Sequence, residues 1–207
     1  IITDGNSKAI EQNDNTKINA KKFEYNKSIN RLIAKENVFI SNDIKDYKIY
    51  SNEITYFKNE EKFITKGKTR ALIQSKYDIK SSDVIFFKDK SELKSIKNTT
   101  ILDKDSQFYK LSKFHYLINK KQLKGEKIII TTNYNLPKSD KFYFKSAIID
   151  LENNNYIASD TKIEVHKDVF SDSENDPRIL GASSTKEGDL TSINKGIFTS
   201  CKKNDKC

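Results

Sequence analysis

The sequence predicts an all-β chain, an elongated antiparallel array of about five strand-pair repeats with an open edge strand at each end. Three observations carry this expectation. First, a strand pattern recurs about every thirty residues, with Ser51, Ser81, Ser112 and Ser146 at equivalent places and Ala20 one period upstream. A fixed period of this size marks units that bury a face only against their neighbours. Second, the apolar positions change phase in mid-strand. Ile49 and Ser51 share a face, yet Ile54 stands an odd number of residues from Ile49, so a flat strand would turn its two halves to opposite sides. Third, the hydrophobic content is only 35%, but it is concentrated in strand formers, with 12 Phe and 10 Tyr.

Taken in order, residues 1–15 are polar and are expected as a flexible tail. Residues 16–167 hold the repeat array. First strands are expected at 18–25, 47–56, 77–86, 108–112 and 142–146, and second strands at 33–40, 64–73, 93–101, 123–131 and 156–165. Glycine and proline are scarce, so the turns rely on Asn, Lys, Asp and Ser, as in Asn26-Lys27-Ser28 and Asn119-Lys120-Lys121. The phase break recurs at Ile18/Ala20 against Phe23/Tyr25, at Ile79/Ser81 against Val84/Phe86, at Ile33 against Val38/Ile40 and at Leu123 against Ile128/Ile130. A bend or bulge in mid-strand restores one inner face and folds the sheet into a trough. About ten strands at about 4.8 Å each make a groove roughly 48 Å long. The end strands are templates for another chain, so self-association through open edges is expected. Residues 168–207 form a C-terminal extension with a loop at 171–177, strand-like stretches at 178–184 and 193–201, and the two cysteines Cys201 and Cys207. The chain has no methionine and reads as a processed product or a piece of something longer.

The formal charge is +9, nearly all from lysine, since Arg31, Arg70 and Arg178 are the only arginines. The lysines are interspersed with Asp and Glu and are read as solvated. Few arginines and no stacking motif argue against nucleic-acid binding. No run of about 18 apolar residues occurs. The first residues show neither the basic nor the apolar region of a signal peptide.

The expected inner apolar set is Ile18, Phe23, Tyr25, Val38, Ile40, Ile49, Ile54, Tyr56, Ile79, Val84, Phe86, Phe114, Tyr116, Ile128, Ile130, Ile163 and Val165. It is read either as a dry, closed β-core or as a lining for acyl chains, each buried CH₂ being worth about 0.8 kcal/mol. Cys201 and Cys207 are disulfide candidates, as a local bond or as two free thiols. A metal site is disfavoured because His115 and His166 lie far from them in sequence. Both histidines are read as solvated, His115 opposite Phe114 and Tyr116. The acidic pairs Asp78/Asp83 and Asp103/Asp105 are read as turn residues rather than an acid-base pair. Asn26-Lys27-Ser28 and Asn98-Thr99-Thr100 fit a glycosylation sequon that matters only in a eukaryotic secreted protein. No nucleophile elbow, P-loop or grouped nucleophile, base and orienting residue is present, so no enzyme and no cofactor are expected.

Repeats of the form Ile-x-Ala/Ser-x-x-Ile-x-Tyr followed by Ile-x-Ala-x-x-Asn-Val-x-Ile resemble the OstA-like family of lipopolysaccharide-transport proteins. Ile33-Ala34-Lys35-Glu36-Asn37-Val38-Phe39-Ile40 is similar to the family strand, with Glu36 where glycine is usual; Gly67 and Gly125 keep glycine at nearby positions in later repeats. Lys195-Gly196-Ile197-Phe198-Thr199-Ser200-Cys201 resembles the segment joining the periplasmic domain to the barrel in the LPS-assembly members. The resemblance covers about residues 16–207. It implies a β-jellyroll, or β-taco, whose inner set holds lipopolysaccharide acyl chains. It also implies edge-strand pairing with a periplasmic bridge protein and hand-off to an outer-membrane barrel with its plug lipoprotein. Location at the periplasmic face of the outer membrane of a Gram-negative bacterium and a disulfide from Cys201 to the barrel are implied too. The alternative is a structural or adhesive β-solenoid of a cell-surface protein.

Overall fold

A computed structural model describes residues 2–11, 15–170 and 175–202. The chain divides after Ile101 into two compact units. The first contains β1 (Ile2–Glu11), β2 (Thr16–Asn26), β3 (Arg31–Asn42), β4 (Tyr47–Phe57), β5 (Lys62–Ile73), β6 (Tyr77–Ser82), β7 (Ile85–Phe87) and β8 (Glu92–Ser95), and β9 (Thr99–Asp103) runs over the division. The second contains β10 (Phe108–Leu111), β11 (Lys113–Leu117), β12 (Gln122–Thr131), β13 (Lys141–Asp150), β14 (Asn155–Glu164), β15 (Arg178–Glu187), β16 (Leu190–Asn194) and β17 (Ile197–Thr199).

Both units are antiparallel meanders. In the first, β1 to β5 pair in sequence. The two halves of β5 then pair with two short strands, Lys68–Ile73 with β6 and Lys62–Ile64 with β7. The second unit repeats the device at both ends. The halves of β12 take β10 and β11, β12 to β15 pair in sequence, and the halves of β15 take β16 and β17.

The mid-strand break is a backbone feature. Pairing slips between Asp4 and Ser7, between Asn19 and Lys22, between Lys35 and Val38, and between Ser51 and Glu53. Left-handed residues stand at or beside the breaks: Gly5, Glu36, Asn37, Gly67, Asp83, Lys127, Asp160 and Lys195. In the inner strands burial resumes on the same face beyond the break. In β4, Tyr47, Ile49 and Ser51 are buried, then Ile54 and Tyr56; in β13, Phe144 is followed by Ala147 and Ile149. Bulged strands leave ladder groups unpaired, and buried hydroxyls stand near them. Thr65 Oγ1 donates to the Val84 carbonyl at 3.3 Å and accepts from its N–H at 2.8 Å. Ser51 Oγ lies 3.3 Å from the Glu53 carbonyl oxygen, and Ser81 is bonded to Thr99 at 2.7 Å. The recurring serine of the first unit is thus a residue of the bend.

Several sequence expectations change. Residues 2–11 are a strand paired with β2 rather than a loose tail. The extension continues the sheet, because β15 pairs with β14. In β3 the inner residue before the break is Ala34, 2% exposed, while Ile33 is only half-buried. Ser112 and Ser146 stand on the break itself, beside the buried Leu111 and Ala147, rather than on the inner face. The departure at Glu36 leaves the bend intact: it takes φ +64 as a non-glycine residue, with Lys22 2.8 Å from its carboxylate.

Left-handed backbone costs an L-residue about 1 kcal/mol. A Cβ at Gly67, at φ +76, would meet nothing within 4 Å, so only the backbone opposes a side chain there. Gly67→Ala should lower unfolding stability by about 1 kcal/mol, and Lys127→Gly, at φ +48, should raise it by a similar amount. Urea denaturation of both variants checks the bend; equal stability of all three proteins contradicts it.

Candidate functional site

The candidate site is the apolar interior that each folded sheet encloses. In the second unit Phe142 and Tyr156 lie far apart along the ladder, because Tyr156 pairs with Ile149, whereas Phe142 pairs with Ile163. Seven residues of flat strand would separate those levels by roughly 23 Å. Their ring centroids are 6.3 Å apart, and Phe144 is 4.9 Å from Tyr156. The halves of the sheet therefore lie face to face. The first unit shows the same closure. Tyr56 stacks on Phe63 at 4.3 Å, and Phe63 faces Phe86 at 6.1 Å, all at one end of the strands. Tyr47, at the other end of β4, meets Phe86 edge-on at 5.1 Å.

The sequence-predicted inner residues lie in these interiors. All are buried except Tyr25 and Val165, which are half-buried. Tyr25 points its hydroxyl to Asn30 Oδ1 at 3.0 Å, and Val165 lies just past the end of β14. Side chains not predicted for the interior include Tyr47, Phe63, Leu93, Tyr109, Leu123 and Tyr156. Each stands within the first two positions of its strand, directly after a turn, and two-residue alternation counted from the turn would have found them. In this conformation the interior has the character of the dry core, one of the two readings of the sequence: Ile40, Ile73, Leu93, Tyr116 and Leu123 are fully buried.

One charge enters the first interior. Lys88 is 4% exposed and pairs with Glu61 Oε2 at 2.5 Å, and the Tyr56 hydroxyl donates to Glu61 Oε1 at 3.3 Å. Pairing and hydrogen bonds of this kind are what make a buried ammonium tolerable.

The other candidate residues have structural partners. Asp78 accepts two bonds from the Arg70 guanidinium, at 2.9 and 3.0 Å, and this holds the Arg70 pKa above its usual value. Asp83 accepts the Gly67 N–H across the bend. Asp103 accepts the N–H groups of Asp105 and Gln107, closing a turn. His115 is half-buried opposite Phe114 and Tyr116. His166 is tied down rather than simply solvated: its Nδ1 is 2.8 Å and its N–H 2.9 Å from Asp140 Oδ1. Cys201 is disulfide-bonded. Cys207 lies outside the described residues. The Arg178 guanidinium binds the Cys201 carbonyl at 2.6 Å and anchors that segment to β15.

No family model matches the chain, and no curated protein does. Among solved structures it is similar to LptH of Pseudomonas aeruginosa, described as the LptA-homologous periplasmic component of the lipopolysaccharide transport device. The identity is 12%, the TM-score is 0.30, and the match covers 70% of this chain and 81% of that one. Neither figure assigns the chain to a family.

Tyr143 gives the second unit a pH signature. Burial first, and its bond to Glu164 Oε2 at 3.0 Å second, push its pKa from 10.0 to about 12. The folded value lies above the unfolded one, so this contribution to stability is complete below pH 10 and is lost as pH rises from 10 through 12. Tyr143→Phe should make the alkaline fall in unfolding free energy shallower over that window. An unchanged slope contradicts the assignment.

Proposed function

We propose that the chain is the N-terminal periplasmic, OstA-like domain of an LPS-assembly protein, LptD, and acts as a lipid conduit. In this reading each unit is part of a β-jellyroll whose interior takes lipopolysaccharide acyl chains. The lipid arrives from a periplasmic bridge protein that pairs with an edge strand, here β1. It leaves toward an outer-membrane barrel and its plug lipoprotein at the periplasmic face of the outer membrane. The domain performs no chemistry and needs no cofactor.

The observation that carries the reading is the mid-strand bend repeated in both units. Within each unit it gathers apolar side chains from both halves of the inner strands into an interior that suits a chain-like apolar guest. Energetics allow entry. A ring contact across the closure is worth about 0.5–1.5 kcal/mol, while a chain of ten CH₂ groups leaving water supplies about 8 kcal/mol. The sequence resemblance, repeat together with cysteine tail, supports the assembly-protein branch over a bridge protein. The closed state of the interior favours the second reading, a structural β-solenoid, in which no guest enters.

Photo-crosslinkers placed at Tyr56 and Phe86, during lipopolysaccharide transport through the intact system, separate the two. The conduit reading expects lipid adducts from both positions and none from the outward-facing Thr55. Adducts from none of the three in a folded protein would put the solenoid reading in front.

A further inference from the structure

The second unit holds a cavity of about 90 Å³ between the halves of its folded sheet. Tyr109, Ile130 and Phe142 line it from one side of the bend and Ile149 and Tyr156 from the other, and Gln107, Thr132, Asn154 and Lys186 complete the lining. A single water needs about 15 Å³ of such space, so the cavity has room for the end of an alkyl chain. Two of the lining groups, Tyr156 and Lys186, can donate to an anion. Tyr156 is 6% exposed, and its hydroxyl is buried without a hydrogen bond. Ser184 and Thr191 stand near enough to oppose part of the effect of burial on its ionisation, but neither bonds it in proper geometry. Lys186 is half-buried and is the direct cross-strand partner of Tyr156. Tyr156 and Lys186 therefore share one face of neighbouring strands, and both line the cavity.

A buried hydroxyl without a partner is costly to the empty protein, and the cost is recovered when a ligand accepts its proton. We infer that this slot binds a single-chain amphiphile with an anionic oxyacid head. Lys186 and Tyr156 donate to head-group oxygens, and the alkyl chain lies against Ile149, Phe142, Ile130 and Tyr109. The inference deepens the conduit reading and rests on it for the source of the ligand. It adds that the second unit holds the anionic head at a defined place.

The test is calorimetric titration of the whole chain with tetradecyl phosphate below its micelle concentration, with tetradecanol and inorganic phosphate as separate arms. The wild type should bind tetradecyl phosphate at one site, at least tenfold tighter than tetradecanol and a hundredfold tighter than phosphate. Lys186→Gln should weaken binding about tenfold. Tyr156→Phe should weaken it several-fold while raising the thermal midpoint of the empty protein, a pair of opposite effects that a merely structural tyrosine does not give. Equal affinity of the wild type and both variants overturns the slot, as does tighter binding of phosphate than of the amphiphile. Either result leaves the conduit standing if lipid still crosslinks at Tyr56 and Phe86, and the conduit reading itself falls only with those crosslinks.

Discussion

Everything in this structure depends on the bend in the middle of the long strands. A flat antiparallel strand alternates strictly, so apolar residues an odd number apart, such as Ile49 and Ile54, would lie on opposite faces. The bulges and left-handed residues at the middle of the strands correct the count. They turn the second half of each strand so that both halves present apolar side chains to one interior. The cost is a set of L-residues held at positive φ and an interrupted pairing register. The cost is offset by burial, since a fully buried Ile or Phe is worth about 1.5–3 kcal/mol, and by Ser and Thr hydroxyls bonded beside the bend.

The bend was legible in the sequence because it leaves an arithmetic trace. Odd spacing between buried residues within one strand has no reading in a flat sheet, and Ile49, Ile54, Ile79 and Val84 display it openly. β1 was not legible for the opposite reason. Ile2 and Ile10 are 80% and 53% exposed, so the strand shows no buried alternation. It is held by main-chain pairing with β2, which side-chain composition does not report. In β3 the inner position is filled by Ala34, and the larger Ile33 beside it attracted the assignment. Lys88 was equally hidden, because a buried lysine among many solvated ones has no mark of its own until Glu61 and Tyr56 are brought to it by the turns.

The interior is closed by ring contacts. Aromatic rings from opposite ends of the strands meet across it, Tyr47 with Phe86 in the first unit and Phe142 and Phe144 with Tyr156 in the second. Such contacts are individually weak, whereas the strand pairing on either side of each bend is extensive. An apolar guest would therefore part the rings before it disturbed the pairing. The second unit carries an incompletely filled place and an unsatisfied hydroxyl at this closure.

Whether the bends fold each sheet onto itself can be read by proton–proton nuclear Overhauser spectroscopy of selectively labelled aromatic rings. Folded sheets give cross-peaks between Phe142 and Tyr156 and between Tyr47 and Phe86, pairs that a flat sheet would hold more than about 20 Å apart. Absence of both, with cross-strand amide contacts along β13 and β14 intact, would mean that the strands run straight and that no enclosed interior exists.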